Sequence, residues 1–185
     1  MRSNADASST LRLTPMKHPL PQIILSLAVA LPFAGHAADA ARQAEVAQRG
    51  AEVMPFSLAA TTHVFTRTTQ GGVQRVVAKN PADTAQVKLV RSHLREIEAQ
   101  FRRGDFSAPA HIHGMDMPGL DELRAAPMGS IAIGYKDVKG GAELAYRTAN
   151  PEIVAALHRW FDAQLSDHGA DAMTGHMHHP GMHSN

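Results

Sequence analysis

The chain has 185 residues, with 18 Lys and Arg against 17 Asp and Glu, 12 His, 9 Met and no Cys. So even a charge balance, with no clustered basic face, excludes a binder of nucleic-acid phosphates. The lack of thiols excludes disulfides and every Cys-based zinc site, so any soft-metal chemistry has to come from imidazole and thioether.

Lys17 precedes an apolar run from Ile23 to Phe33, followed by Ala34-Gly-His-Ala37. A positive flank, a short apolar core and small residues before the cut predict a secretory signal peptide over 1–37, with Met16 as an alternative start. The run is shorter than the roughly 20 apolar residues a transmembrane helix needs. Cleavage near Ala37 predicts a periplasmic or secreted product that inserts in no membrane. One domain is expected over 38–169.

Residues 38–54 are Ala-rich with mixed charges and predict a short helix. Thr62–Thr69 and Val73–Ala78 flank Gly71-Gly72, which reads as a β-hairpin. Asn80-Pro81 then supplies an N-cap and a first helical residue. Behind it Val87, Val90, Leu94, Ile97 and Phe101 form an apolar stripe. The same order recurs. Ser130–Tyr135 and Ala142–Tyr146 flank Gly140-Gly141, and Asn150-Pro151 opens a helix with Val154, Leu157, Phe161 and Leu165 on one face. Two ββα units, about 60–101 and 130–168, predict an α+β fold: a four-stranded antiparallel sheet with both helices on one face. Residues 170–185 are expected to be a disordered His/Met-rich tail.

Between the units lies His111-Ile-His-Gly-Met-Asp-Met-Pro-Gly119. In an extended chain His111, His113, Met115 and Met117 share one face at about 6.6 Å spacing, within reach of one ion. Imidazole suits Cu, Zn and Ni while thioether favours Cu(I), so the mixture points to copper first, with zinc or nickel as alternatives. The tail adds His176, Met177, His178, His179, Met182 and His183, a composition typical of metal-binding tracts. His93, His158 and His168 lie on the helices and could join the central motif, with Asp162 placed to orient His158. His63, on the first strand, carries the least weight. The tripeptide Arg103-Gly-Asp105 carries no argument, and no nucleophile elbow, P-loop or dinucleotide fingerprint occurs.

The phrases V-M-P-F (53–56), H-L-R-E-I (93–97), R-G-D-F (103–106), H-I-H-G (111–114), D-M-P-G-L (116–120) and W-F-D-A-Q-L-S-D-H-G (160–169) resemble a family of small exported bacterial proteins of unestablished activity. The resemblance spans about Arg42 to Ala172. Some members carry the label aspartate carbamoyltransferase. The residues do not support it: Phe65-Thr-Arg-Thr68 lacks parts of a carbamoyl phosphate loop and falls in a predicted strand, which offers no helix N-terminus to a phosphate.

The functional expectation is therefore a periplasmic metal-binding protein serving as sink, carrier or sensor. A metal-dependent enzyme using Asp116 or Glu96 as base is the alternative. A small-ligand or protein-interaction module with an incidental His-rich end is the third reading. No catalytic residue is assigned, and the only predicted partner is a metal ion.

Overall fold

Alternation dictates which face of each strand meets the helices. A computed structural model describes residues 33–176. In β1 (Thr61–Thr68) Thr61, His63 and Phe65 point inward, and in β2 (Gly71–Ala78) Val76 and Ala78 do. Ile133 of β3 (Ala132–Val138) and Ala142, Leu144 and Tyr146 of β4 (Gly141–Arg147) complete the buried face. Onto it pack α2 (Thr84–Arg102) and α5 (Pro151–His168). Tyr146 touches both helices, with ring centres 6.3 Å from Phe101 and 5.9 Å from Trp160.

The two hairpins and their following helices form as the sequence predicts, but the sheet does not stop at four strands. Its order is β3-β4-β2-β1-β5, and β5 (Ala172–Thr174) lies parallel to β1. The tail expected to be disordered from 170 thus begins with a strand. Unpaired amides and carbonyls on the outer edge of β1 give these residues hydrogen-bond partners, and three residues are too few to show a period.

Helix starts also depart from expectation at one end. Asn150 caps α5 as predicted, its side chain accepting from the Glu152 amide. Asn80 does not cap α2; its side chain accepts from Ala82 N in a turn, and Asp83 caps the helix by accepting from Gln86 N. The buried stripe of α5 runs through Ile153, Ala156, Leu157, Trp160, Phe161 and Gln164. Val154 and Leu165, expected there, are only half-buried.

N-terminal to the sheet, α1 (Phe33–Val53) buries Val46 completely and packs against α5 and α3 (Ser107–His113). The expected cleavage position after Ala37 falls within α1; residues 1–32 of the expected signal peptide lie outside the described residues. The segment between the ββα units carries two short helices, α3 and α4 (Leu120–Ala125). Gly119, at φ +83°, precedes α4 and lies against α5, where an added Cβ would stand 2.2 Å from the Ala156 carbonyl oxygen.

Candidate functional site

The extended reading of His111–Met117 fails at its first step, because His111-Ile-His113 closes α3 and Gly114 leaves the helix at φ +89°. Successive residues of a helix turn by about 100°, so two positions apart means nearly opposite faces. His111 accordingly points outward, its Nε2 2.9 Å from Glu52 Oε2, while His113 is buried. Met115 is 55% exposed beside Arg124, and Met117 is packed in the core. The four proposed ligands do not share a face.

His113 instead enters a different group. One cavity of about 50 Å³ at the C-terminal end of α1 is lined by His63, His93, His113 and His168. Four separate elements supply them: β1, α2, α3 and the last turn of α5. His63 faces inward because it is in phase with Phe65 on β1. On α5, Trp160, Gln164, Asp167 and His168 recur along one helix face, and all four are buried or nearly so. The rings of His63 and His168 stack with centres 4.8 Å apart and planes at 8°. Those of His113 and His168 meet edge to face at 5.1 Å. His93 stands edge-on to Phe56, with centres 5.6 Å apart.

Partner chemistry fixes which nitrogens are free. His113 Nδ1 donates to Asp167 Oδ2 at 2.8 Å, since a carboxylate only accepts, and this leaves Nε2 as the lone-pair nitrogen. Arg42 holds Asp167 from the other side through both carboxylate oxygens, at 3.0 and 2.9 Å, and also donates to the His113 carbonyl. His168 Nε2 donates to Gln164 Oε1 at 3.2 Å, which leaves its Nδ1 as acceptor. His63 Nδ1 is buried with no hydrogen-bond partner among the described residues, and so is Trp160 Nε1 on the same cavity wall.

Burial disfavours the charged form of His63, His93 and His168. It pushes His63 well below the ordinary imidazole range, helped by the neighbouring His168, His93 and His113 rings. Burial and the adjacent His113 lower His168 to about 4 against the pull of Asp167 and Asp171. His93 is lowered by burial, opposed by Glu96. Burial raises the Asp167 carboxyl, but the hydrogen bonds from His113 and Arg42 outweigh it and hold the group at about 2. The pocket thus holds three imidazoles, His63, His93 and His168, whose charged form burial disfavours, beside a His113 ring hydrogen-bonded to one compensated carboxylate.

The other expected residues fall elsewhere. His158 Nε2 donates to the carbonyls of Thr68 at 3.1 Å and Gly71 at 2.8 Å, which pins the first hairpin to α5. Asp162 pairs with Arg67 and does not orient His158. His176 is exposed; Met177, His178, His179, Met182 and His183 lie outside the described residues. Sequence reasoning misses Arg42, Met54 and Asp167 because their roles depend on contacts between distant elements; Gln164, four residues before His168 on α5, has a signal in that spacing. Phe65–Thr68 lies in β1 in register with Gly71–Gln74, so it presents no helix N-terminus. Among the described residues no helix is long and apolar enough to cross a membrane.

Also among the described residues, no group of three or more His, Asp or Glu side chains stands ready to hold a metal ion. The stacked rings account for this: imidazole lone pairs lie in the ring plane, so parallel rings do not aim at a common point. No protein-family model, curated protein or solved structure matches the chain. The pocket has to be read from its own chemistry.

Proposed function

We propose that the protein binds one transition-metal ion in the buried pocket through His63, His113 and His168, as an exported sink, carrier or sensor. The spacing of His168 from each of the other two rings is the observation that supports this reading. Two imidazoles bound to one tetrahedral ion through bonds of about 2 Å place their ring centres about 5 Å apart. The rings here stand 4.8 and 5.1 Å apart, centre to centre. Loading then requires rotation of His63 or His168 out of the stack. The Asp167 carboxylate behind His113 is the kind of partner that orients a ligating imidazole and raises its basicity. Copper remains the first choice, with zinc and nickel as alternatives. Met115 and Met117 no longer argue for it, but the thioether of Met54 lines the same cavity.

Titration of the full chain with Cu(I), Cu(II), Ni(II) and Zn(II) tests this. The tail background is removed by His176→Ser, His178→Ser, His179→Ser and His183→Ser. One tightly held ion per chain is expected to remain. His63→Ala with His168→Ala should weaken it at least about 100-fold, as the loss of two of three ligands implies. Undiminished uptake in that variant excludes the pocket as the site.

A second reading has its own support. The stacked His63–His168 pair and the apolar wall formed by Leu94, Ile97 and Phe101 suit a small, mostly apolar molecule. That reading requires binding to metal-free protein, and a chelator would leave it unaffected.

A further inference from the structure

We infer that the cavity takes a small uncharged carbonyl compound, such as a short ketone, whose oxygen accepts a hydrogen bond from the indole N–H of Trp160. This rests on the metal-free, small-molecule reading of the pocket given above and names the class of ligand. Size, charge and hydrogen bonding each narrow the choice.

Size comes first. The cavity measures about 50 Å³. One water needs about 10–15 Å³ of such space, so the room matches roughly three to five waters. A molecule of about four non-hydrogen atoms fills it, and a fused ring or a long chain does not fit.

Charge comes next. Among the described residues that line the cavity, none is Asp, Glu, Lys or Arg. Asp167, behind His113, has both carboxylate oxygens engaged by Arg42 and His113. An ion entering such a place loses its hydration and meets no opposite charge, which costs far more than burying a neutral molecule. Leu94, Ile97, Phe101 and Ile112 supply a hydrocarbon wall instead, and an apolar body gains by displacing water from it.

Hydrogen bonding decides the polar end. Gln74 Oε1 accepts from the Tyr146 hydroxyl at 2.8 Å, and Gln164 Oε1 pairs with His168 Nε2 at 3.2 Å. The side-chain carbonyls of the lining are thus already in use. Trp160 is the reverse case. It is 1% exposed, lines the cavity, and its Nε1 has no partner among the described residues. An indole nitrogen only donates, whatever the charge on the neighbouring imidazoles. Buried indole N–H groups normally find an acceptor. A ligand matched to this wall brings an acceptor and no donor of its own, which describes a ketone. An alcohol brings an O–H that competes for oxygens already engaged.

Acetone is the probe, added to the full chain in excess chelator. Isobutene has the same skeleton without the oxygen, and isopropanol has it with a donor. Trp160 is the chain's single tryptophan, so its indole N–H gives one proton resonance. Saturable acetone binding is expected, with a dissociation constant between about 0.1 and 10 mM for so few atoms. The indole resonance should move downfield with acetone and not with isobutene. Trp160→Phe should shift the ratio of acetone to isobutene affinity about 3- to 10-fold toward isobutene, the worth of one neutral hydrogen bond, read by saturation transfer on the ligand. Ile97→Phe narrows the apolar wall and should weaken both ligands at least about 5-fold. An indole resonance unmoved by saturating acetone overturns the carbonyl assignment and leaves the small-molecule reading standing. So does isopropanol binding more tightly than acetone, or an unchanged ratio in folded Trp160→Phe. If that variant does not fold, the indole shift decides. No binding of any of the three, or binding that Ile97→Phe leaves untouched, removes the small-molecule reading and the carbonyl assignment together.

Discussion

His168 has spent its ring on the interior: one nitrogen on Gln164, one face on His63, an edge toward His113. Its buried ring titrates near 4 against an ordinary 6.5. In the unfolded chain it protonates near 6.5, so as pH falls from there toward 4 the unfolded state takes up a proton that the folded state refuses. The stability at issue is intact above about 6.5 and is lost progressively on the way down to 4, an amount of about 3 kcal/mol. His63 acts in the same direction. The Asp167 contribution is intact above the ordinary carboxylate range and disappears only as pH drops toward 2. Chemical denaturation at pH 7 and pH 5 should therefore show a clear loss of stability at pH 5, and His168→Leu should reduce that difference, leaving the part due to His63. The inward phase of His63 was legible in the sequence from its alternation with Phe65. What could not be read was that a strand histidine, a helix-end histidine and the close of a short helix would meet.

At the scale of elements, α3 shows how the central motif was misread. Alternation of His and Met looks like a strand only if the backbone is extended, and Ser107-Ala-Pro-Ala110 starts a helix that carries through His113. Proline is tolerated in a first turn, and alanine is the best helix former, so those residues outweigh the alternation that follows. Long stripes are read more safely: Val87, Val90, Leu94 and Phe101 are buried as their spacing requires, and Ile97 is half-buried against the same core. Close approach of elements leaves a local signature only in small residues. Gly119 sits between α4 and α5 in a backbone conformation that side chains avoid, with no room for a Cβ. Gly119→Ala is expected to destabilise the fold by about 2 kcal/mol, from strain and overpacking together. A lowered thermal midpoint, with the far-UV spectrum retained, is the check.

On the whole molecule, duplication of the ββα unit in the sequence conveys four of the five strands and the placement of both helices over one face. It does not convey that β2 and β4 join the two units at the sheet centre, because that pairing links residues about 70 positions apart and has no local mark. Nor does it convey the role of α1, whose Arg42 reaches Asp167 across 125 positions and ties the N-terminal helix to the histidine pocket. The pocket exists only when the whole chain is assembled. No single unit of the repeat contains more than two of its four imidazoles.

The short parallel strand β5 has a practical consequence. Only three register pairs hold it to β1, and the first sets Ala172 against His63, so the final strand borders the strand that carries a pocket ring. Detaching β5 strips support from His63, and an occupied pocket resists that loss by mass action. At a free metal concentration of about 100 times the dissociation constant the added resistance is about 2.7 kcal/mol. A broad-specificity protease should then trim the empty protein back toward Gly169 and leave the loaded protein uncut near Met173, at rates differing by up to about 100-fold. Mass spectrometry of the shortened product would turn the C-terminal edge of the sheet into a gauge of occupancy.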